Sequence, residues 1–233
     1  MATFVLVHGG WGGPHGFRRL RASLQGSGHQ VFTPSLTGLG ERAHLTSPGV
    51  GLSTHVSDVV NHVLYEDLEG IVLLGFSYGG CVVTGAVDHI AARIRHLVYL
   101  DAFVPEDGQS VYSLTGRPVV TMGLGASWLV PPPDRTFDDP EEAAFMNARR
   151  TPQPVRCFQE SVRLARALED YPFTRTYIRA TGDRIDAPGA AVFDAAAVRA
   201  RESAAWRYQE VATNHMIASN RPEELADLLR ELT

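Results

Sequence analysis

The stretch IVLLGFSYGG, residues 71–80, places a serine among glycines directly after four apolar residues. Residues 75–79 match the pattern Gly-x-Ser-x-Gly, with a strand-like apolar run before them and a helical pattern after them. In such a sharp strand-to-helix turn, side chains two positions to either side of the serine would collide. Gly75 and Gly79 remove that collision. The stretch therefore predicts that Ser77 is a nucleophile raised off a strand end; a glycine turn with an incidental serine is the alternative.

Along most of the chain, short β-branched segments alternate with helical patterns, which is typical of a parallel sheet wrapped by helices. We predict strands at 3–7, 30–33, 71–74, 96–100, 176–180 and 207–211, and helices at 17–24, 54–64, 78–90 and 222–232. The strands are short and mostly apolar, as buried parallel strands are. The predicted fold class is therefore α/β.

The regular alternation stops between residues 105 and 172. That segment contains the run Pro131-Pro132-Pro133 and two helical stretches, at 140–149 and 155–168. Long structureless loops are uncommon in compact domains. We therefore predict a helical lid at 105–172, inserted into a core that residues 1–104 and 173–233 form.

Composition excludes several classes of protein. The chain has 233 residues, of which 44% are hydrophobic and 20% charged, with a net charge of −5 and no basic stripe. This argues for a folded globular protein and against a nucleic-acid partner. The first residues, MATFVLVHGG, contain neither a charged leader nor a long apolar run, so we expect no membrane span and a cytoplasmic location.

Cysteine and histidine spacing gives no metal site. Cys81 and Cys157 lack metal-type spacing, and we interpret both as free thiols. His55 and His62 lie two helical turns apart, which we interpret as a solvated helix face rather than a pair of metal ligands. We expect neither a metal nor a cofactor.

The segment after the first predicted strand supplies a second element of the site. His8-Gly9-Gly10 stands where this architecture places half of an oxyanion hole. The backbone amide of Gly10 is one predicted donor, and the amide of Tyr78, at a helix amino terminus, is the other. We expect His8 to orient this loop rather than to transfer protons.

A serine hydroxyl needs a base to accept its proton. Among nine histidines the best placed is His215, which follows the last predicted strand and precedes the last helix. An acid must then orient the imidazole. We assign that role to Asp183, which follows the predicted strand 176–180 and gives the chain order Ser, Asp, His, because its strand should lie beside the one that delivers His215. Asp101, after the strand ending at residue 100, is its rival, and Asp186 is a third candidate.

Together these segments resemble the α/β-hydrolase superfamily, and within it the branch of plant methylesterases, hydroxynitrile lyases and related bacterial esterases. The resemblance lies in five motifs: FVLVHGG at 4–10, PSLTGLGER at 34–42, GFSYGG at 75–80, YLDAFVP at 99–105 and NHM at 214–216. It implies a mainly parallel sheet of about six strands and the same catalytic residues and oxyanion amides as above. It also implies no cofactor, and it leaves a homodimer open.

Two positions distinguish the hydroxynitrile lyases of that branch from its esterases. Its hydroxynitrile lyases have a threonine after the first-strand histidine and a lysine after the catalytic histidine, the latter to hold cyanide. The corresponding residues here are Gly9 and Met216, which resemble the esterases. The esterases usually have a second histidine shortly after His-Gly, whereas residues 11–17 here are WGGPHGF, which indicates an altered pocket wall.

The sequence thus predicts a serine hydrolase that cleaves a small carboxylic ester, or a thioester, through an acyl-enzyme. Trp11, Phe103, Trp128 and Met216 are candidate pocket residues and would suit an apolar or aromatic substrate; the alternative is that they pack the core. A lyase or cyclase that uses the same serine and histidine as a base is the second reading. A non-catalytic small-molecule receptor on the same fold is the third.

Overall fold

A computed structural model describes residues 1–119, 127–182 and 189–233, and its centre is a six-stranded parallel sheet. The strands in the described residues are β1 Thr3–Val7, β2 Gln30–Phe32, β3 Ile71–Phe76, β4 Ile94–Leu100, β5 Leu129–Val130, β6 Gln153–Pro154, β7 Thr174–Ala180 and β8 Arg207–Val211. The α-helices are α1 Arg18–Gly26, α2 Leu52–Tyr65, α3 Gly79–Ile90, α4 Val111–Leu114, α5 Pro140–Asn147, α6 Arg156–Gln159, α7 Ala190–Glu202, α8 Ile217–Asn220 and α9 Pro222–Arg230. Short 3₁₀ segments occupy Pro14–Phe17, Gly40–Leu45, Ala91–Arg93 and Leu168–Asp170.

The large sheet has the strand order β2-β1-β3-β4-β7-β8, and every pairing in it is parallel. This confirms the α/β class and the six predicted strands, whose ends differ from the prediction by at most two residues. Because all strands run the same way, their carboxyl ends meet along one edge. The residues that directly follow the strands therefore lie close together in space.

The sheet separates two hydrophobic cores. Successive side chains of a strand point to opposite faces. In β1, Val5 and Val7 belong to the core that α2, α3 and α7 cover, whereas Phe4 and Leu6 belong to the core that α1 and α9 cover. Burial on both faces explains why the strands are continuous apolar runs rather than alternating ones.

The segment 105–172 differs from its prediction. The helix predicted at 140–149 forms as α5, but the one predicted at 155–168 is reduced to α6. Beyond α6 the backbone bonds to distant partners rather than to its own turn. The amide of Val162 donates to the Gln109 carbonyl, and those of Leu164 and Ala165 donate to carboxylates of Asp107 and Asp88. Tertiary partners thus replace the helical hydrogen bonds.

Helix α7 has no counterpart in the sequence prediction. Its sequence, AAVFDAAAVRARE, contains few large apolar residues, so the apolar periodicity that marks a buried helix is weak. It begins after Gly189, whose φ of 89° favours glycine. The helix carries Phe193 and Asp194, and both contribute to the site described below.

Cys81 and Cys157 are buried free thiols, as predicted. In the described ranges no helix is long and apolar enough to cross a bilayer.

Candidate active site

Ser77 and Asp101 follow neighbouring strands of the sheet. The last residues of β3 and β4, Phe76 and Leu100, are register partners. The amide of Ser77 donates to the Leu100 carbonyl at 3.2 Å, and the amide of Phe103 donates to the Ser77 carbonyl at 3.2 Å. These hydrogen bonds hold the two strand ends side by side.

Backbone strain is concentrated at this edge of the sheet. In the part of the chain that the structure describes, four non-glycine residues have positive φ, and three of them are Trp11 at 58°, Ser77 at 55° and Asp101 at 42°. Such conformations cost about 1–3 kcal/mol each and persist only where the surroundings enforce them. The turn at Ser77 is therefore enforced by its packing rather than by local preference.

The glycines around Ser77 have the steric role that the sequence predicts. A Cβ at Gly75 would lie 2.6 Å from the Gly79 carbonyl oxygen, and a Cβ at Gly79 would lie 2.6 Å from the Val7 carbonyl oxygen. Real Cβ atoms do not approach carbonyl oxygens this closely, so β1, β3 and α3 would have to separate. The glycines allow the close approach that exposes the serine.

His8 holds the loop after β1. One ring nitrogen, Nδ1, donates to the Gly9 carbonyl at 2.9 Å, and the other, Nε2, accepts the Leu36 amide at 3.2 Å. Burial lowers the pKa of His8 to about 4, so the ring is neutral at pH 7. With both nitrogens occupied, His8 has the orienting role predicted for it.

The two predicted oxyanion donors remain available. The Trp11 amide donates to Oε1 of Gln153 at 2.9 Å, whereas the amides of Gly10 and Tyr78 donate to no partner among the described residues. Tyr78 is the N-cap of α3, so its amide lies at the positive end of that helix. Both amides are thus free to receive a developing negative charge.

His55 is fully buried, so the predicted solvated face at this position was wrong. The hydroxyl of Tyr78 and Nδ1 of His55 are 2.9 Å apart, and Nε2 of His55 is 2.8 Å from the Thr37 carbonyl. Since a carbonyl only accepts, Nε2 donates and Nδ1 accepts from the tyrosine. This hydrogen bond holds the side chain of Tyr78, whose amide is a predicted oxyanion donor. No group of three or more metal-ligating side chains occurs within the described ranges.

His215 is bonded to Asp101. Its Nδ1 lies 2.6 Å from Oδ2 of Asp101, and both side chains are buried. The ring is stacked on Phe193, with centroids 5.2 Å apart and planes 9° apart, and it also packs against Phe76, with centroids 4.7 Å apart. The two phenyl rings and the carboxylate fix the orientation of the imidazole.

This hydrogen bond corrects the sequence assignment of the orienting acid. Residues 183 and 186 lie outside the described residues, and the carboxylate on Nδ1 of His215 belongs to Asp101, the predicted rival of Asp183. Asp101 holds this position because it directly follows β4, beside the strand end that carries Ser77. The sequence favoured Asp183 because its strand was expected to lie beside the one that delivers His215. β7 and β8 are indeed neighbours, but that neighbourhood does not reveal which strand end faces the histidine.

The second oxygen of Asp101 is also occupied. Oδ1 accepts from the guanidinium of Arg179 at 2.5 Å and from the amide of Ala180 at 3.1 Å. Arg179 in turn donates to Asp194 on α7. Burial alone would lower the pKa of Arg179, but the charges and hydrogen bonds of the two aspartates outweigh it and raise that pKa. These bonds and the one to His215 hold the carboxylate of Asp101 in a fixed orientation.

Sequence reasoning missed Arg179, although a signal for it was present. Arg179 lies in the otherwise apolar stretch Tyr177-Ile178-Arg179-Ala180 of a central strand. A cation in a buried strand requires an anionic partner. That requirement calls for an aspartate or glutamate close to Arg179, and the structure places Asp101 there.

Ser77 lies between two cavities. The first, which we call the histidine cavity, has a volume of about 50 Å³ and is lined by Ser77, His215, Met216, the Gly9–Gly13 loop, Phe137, Met146, Arg135 and Arg150, among others. The second, the aromatic cavity, has a volume of about 190 Å³ and is lined by Ser77, Trp11, Tyr78, Phe103, Tyr112, Phe158 and Phe193, among others. Ser77 and His215 share the histidine cavity without a hydrogen bond between their side chains. Such bonds are often long in structures without substrate.

The predicted pocket residues divide between these cavities. Trp11 lines both, Phe103 lines the aromatic cavity and Met216 lines the histidine cavity. Trp128 lines neither of them, and its place in the pocket stays a prediction. Its carbonyl instead accepts the Val155 amide at 2.8 Å, which attaches it to the two-stranded sheet of β5 and β6.

Comparisons with known proteins agree with this architecture. A sequence model described as the alpha/beta hydrolase family matches residues 4–228. The carbendazim hydrolyzing esterase of Nocardioides sp. (strain SG-4G) is 53% identical over 114 residues, which are 49% of this chain and 47% of that protein. The alpha-hydroxynitrile lyase of Arabidopsis thaliana is 32% identical over 109 residues, or 44% of this chain and 40% of that protein.

These matched regions span less than half of each curated relative. A solved structure extends the likeness to the whole chain. An extracellular alpha/beta-hydrolase from a Paenibacillus species superposes with a TM-score of 0.78 at 22% identity, over 100% of this chain and 99% of the other. At that identity the superposition supports the fold alone.

Proposed function

The chain belongs to the alpha/beta hydrolase family, and on that premise we propose that it is a serine esterase acting on small carboxylic esters. The proposed triad is Ser77, His215 and Asp101. The observation that carries the proposal is the 2.6 Å hydrogen bond between Nδ1 of His215 and Asp101, in a ring that lines the same cavity as Ser77.

The hydrogen bond to Asp101 determines which nitrogen of His215 acts as the base. A carboxylate only accepts, so the neutral ring carries its proton on Nδ1 and presents a lone pair at Nε2. Nε2 takes the proton of Ser77 as Oγ attacks the ester carbonyl. Asp101 stabilises the imidazolium that results.

The remaining steps follow from the same groups. The amides of Gly10 and Tyr78 donate to the oxyanion of the tetrahedral intermediate. Nε2 of His215 then returns its proton to the leaving alkoxide, the carbon–oxygen bond breaks, and an acyl-Ser77 remains. A water molecule, deprotonated by His215, attacks the acyl group, and release of the acid restores Ser77.

The two cavities suggest where each half of the substrate binds. The leaving oxygen must lie within reach of His215, which lines the histidine cavity but not the aromatic cavity. We therefore place the leaving group in the histidine cavity and the acyl group in the aromatic cavity. The aromatic side chains of the latter favour an apolar or aromatic acyl group.

The resemblance to hydroxynitrile lyases and the Arabidopsis relative raise a lyase as the alternative. Met216, beside the base, is apolar and offers no cation where those lyases use a lysine. The esterase relative supports the proposal instead. The substrates to be tested therefore include a thioester, and also carbendazim, the compound named in the description of that relative.

Ester turnover tests the proposal. We would measure hydrolysis of p-nitrophenyl acetate, p-nitrophenyl butyrate, a thioester and carbendazim, with mandelonitrile as the lyase substrate. The variants are Ser77→Ala and His215→Ala, with Ser57→Ala and His89→Ala on exposed positions of α2 and α3 as matched controls. We expect the wild-type protein to hydrolyse the esters. Ser77→Ala and His215→Ala should lower that turnover at least about 10³-fold, whereas the two control variants should keep it. Cleavage of mandelonitrile alone would favour the lyase, and ligand binding without any turnover would favour a receptor.

A further inference from the structure

The histidine cavity is lined by cations. Two arginines, Arg135 and Arg150, line it, and no aspartate or glutamate is among its described lining residues. Arg135, with Arg117, also lines the aromatic cavity, so Arg150 is the arginine that lines the histidine cavity alone. The cavity's histidine His8 is neutral at pH 7, because burial lowers its pKa. The cavity that would receive the leaving group is therefore positively charged.

Arg150 contributes a cation without a partner in the described part of the chain. It follows α5, is half-buried, and forms neither an ion pair nor a side-chain hydrogen bond with any residue in the described ranges. The adjacent Arg149 differs. It is exposed, donates to the Phe145 carbonyl and stacks on the Phe145 ring 3.9 Å from its centroid. Arg150 alone of the two faces the cavity.

The electrostatic environment of Arg150 is unfavourable for its positive charge. Burial and, to a smaller extent, the charge of Arg135 lower its pKa to about 10, against the opposing charge of Asp134. At pH 7 the guanidinium nevertheless stays protonated. A half-buried cation next to a second cation gains most from an anion that displaces water and accepts two parallel hydrogen bonds.

We propose that Arg150, beside Arg135, binds a carboxylate on the leaving group of the substrate. The proposal rests on the esterase function above, because His215 has to protonate the leaving oxygen and thereby places the leaving group in this cavity. The natural substrate class is then an ester whose alcohol or phenol half carries an acidic group. The carboxylate is a binding determinant and takes no part in bond breaking.

Matched pairs of aryl esters test this proposal. The anionic substrates are 4-acetoxybenzoate and 3-acetoxybenzoate, and the neutral ones are their methyl esters, which remove the charge and keep the reacting acetyl group. For each pair we would take the ratio of kcat/KM, anionic over neutral. Because intrinsic reactivity cancels when this ratio is compared between enzymes, the comparison isolates recognition of the charge.

In Arg150→Gln we expect the ratio to fall at least about tenfold for one of the two pairs, since a hydrogen-bonded charge pair is lost. Arg149→Gln, the adjacent arginine outside the cavity, should leave it unchanged within about twofold. Equal ratios in the wild type and both variants would overturn the carboxylate site and leave the esterase intact. Absence of turnover on all four esters would instead refute the proposed function for this substrate class.

A binding measurement tests the carboxylate site even if Arg150→Gln does not fold or the wild-type protein does not turn over these esters. By calorimetry the wild-type protein should bind 4-hydroxybenzoate or 3-hydroxybenzoate more tightly than the corresponding methyl ester, and raised salt should reduce that difference. Arg150→Lys, which keeps the charge but not the planar fork, should retain part of the preference. Equal affinity for acid and methyl ester in the wild type would contradict the proposal.

Discussion

Replacement of Asp101 by asparagine distinguishes the acid bonded to His215 in the structure from Asp183, which the sequence favoured. Oδ1 of Asp101 accepts from Arg179 and from the Ala180 amide, while Oδ2 receives Nδ1 of His215. In Asp101→Asn the amide oxygen stays with the two donors, because an amide NH₂ cannot accept from them. The NH₂ group is then left facing Nδ1 of His215.

That arrangement selects the wrong tautomer of the histidine. An NH₂ donor opposite Nδ1 favours the lone pair on Nδ1 and the proton on Nε2, so Nε2 can no longer accept the proton of Ser77. The equivalent change in a serine-protease triad lowers kcat about 10⁴-fold. We expect a loss of about 10³- to 10⁴-fold here, which corresponds to about 4–5.5 kcal/mol of activation free energy.

The assay compares kcat of Asp101→Asn and Asp183→Asn on the same ester at pH 7, with thermal melting of both proteins as the control for folding. Because asparagine is nearly isosteric with aspartate, KM should change much less than kcat in Asp101→Asn. We expect Asp183→Asn to stay within about tenfold of the wild type. A loss of 10³-fold in Asp183→Asn, with Asp101→Asn near wild type, would refute the reasoning.

Three further predictions concern the supports of the site and of the fold. Arg179→Gln removes the guanidinium that donates to Oδ1 of Asp101, so kcat should fall about tenfold or more while KM changes little; Asp194→Asn, which keeps that guanidinium, should lower kcat less, and an unchanged kcat in Arg179→Gln would contradict the role. Gly79→Ala adds a Cβ 2.6 Å from a carbonyl oxygen of β1, so urea unfolding should show a loss of about 1–3 kcal/mol; unchanged stability would show that the elements separate freely. His96, at the far end of β4, has a pKa lowered to about 4 by burial, so its contribution to stability is complete above about pH 6.5 and is lost as the pH falls from there to about 4. In His96→Gln the fall in unfolding free energy over that range should be shallower by up to about 1.4 kcal/mol per pH unit, and an identical slope would contradict the assignment.

The sequence predicted the features that depend on local patterns. Buried parallel strands are apolar runs, so all six could be found, and the Gly-x-Ser-x-Gly pattern identified Ser77 because its glycines have steric roles that the pattern itself encodes. His215 was found because it stands between the last strand and the last helix, and the structure places it in the cavity of Ser77. These conclusions required no knowledge of distant contacts.

Features that depend on tertiary partners were missed or misplaced. The choice between Asp101 and Asp183 depends on which strand end faces His215, and both residues follow a strand in the sequence. Helix α7 lacks the large apolar residues that mark a buried helix, yet it supplies the Phe193 ring on which His215 stacks. Most of the helix predicted at 155–168 does not form, because backbone amides in that segment donate to residues distant in the sequence instead.

Covalent labelling tests the central claim most directly. The protein would be incubated with a fluorophosphonate, digested, and analysed by peptide mass spectrometry, beside His215→Ala and the exposed control His89→Ala. We predict a single phosphonylated residue, Ser77, in the wild type and in His89→Ala, with labelling at least about 10³-fold slower in His215→Ala. Labelling at another serine, or equal labelling rates in the wild type and His215→Ala, would contradict the claim that His215 activates Ser77 as the nucleophile.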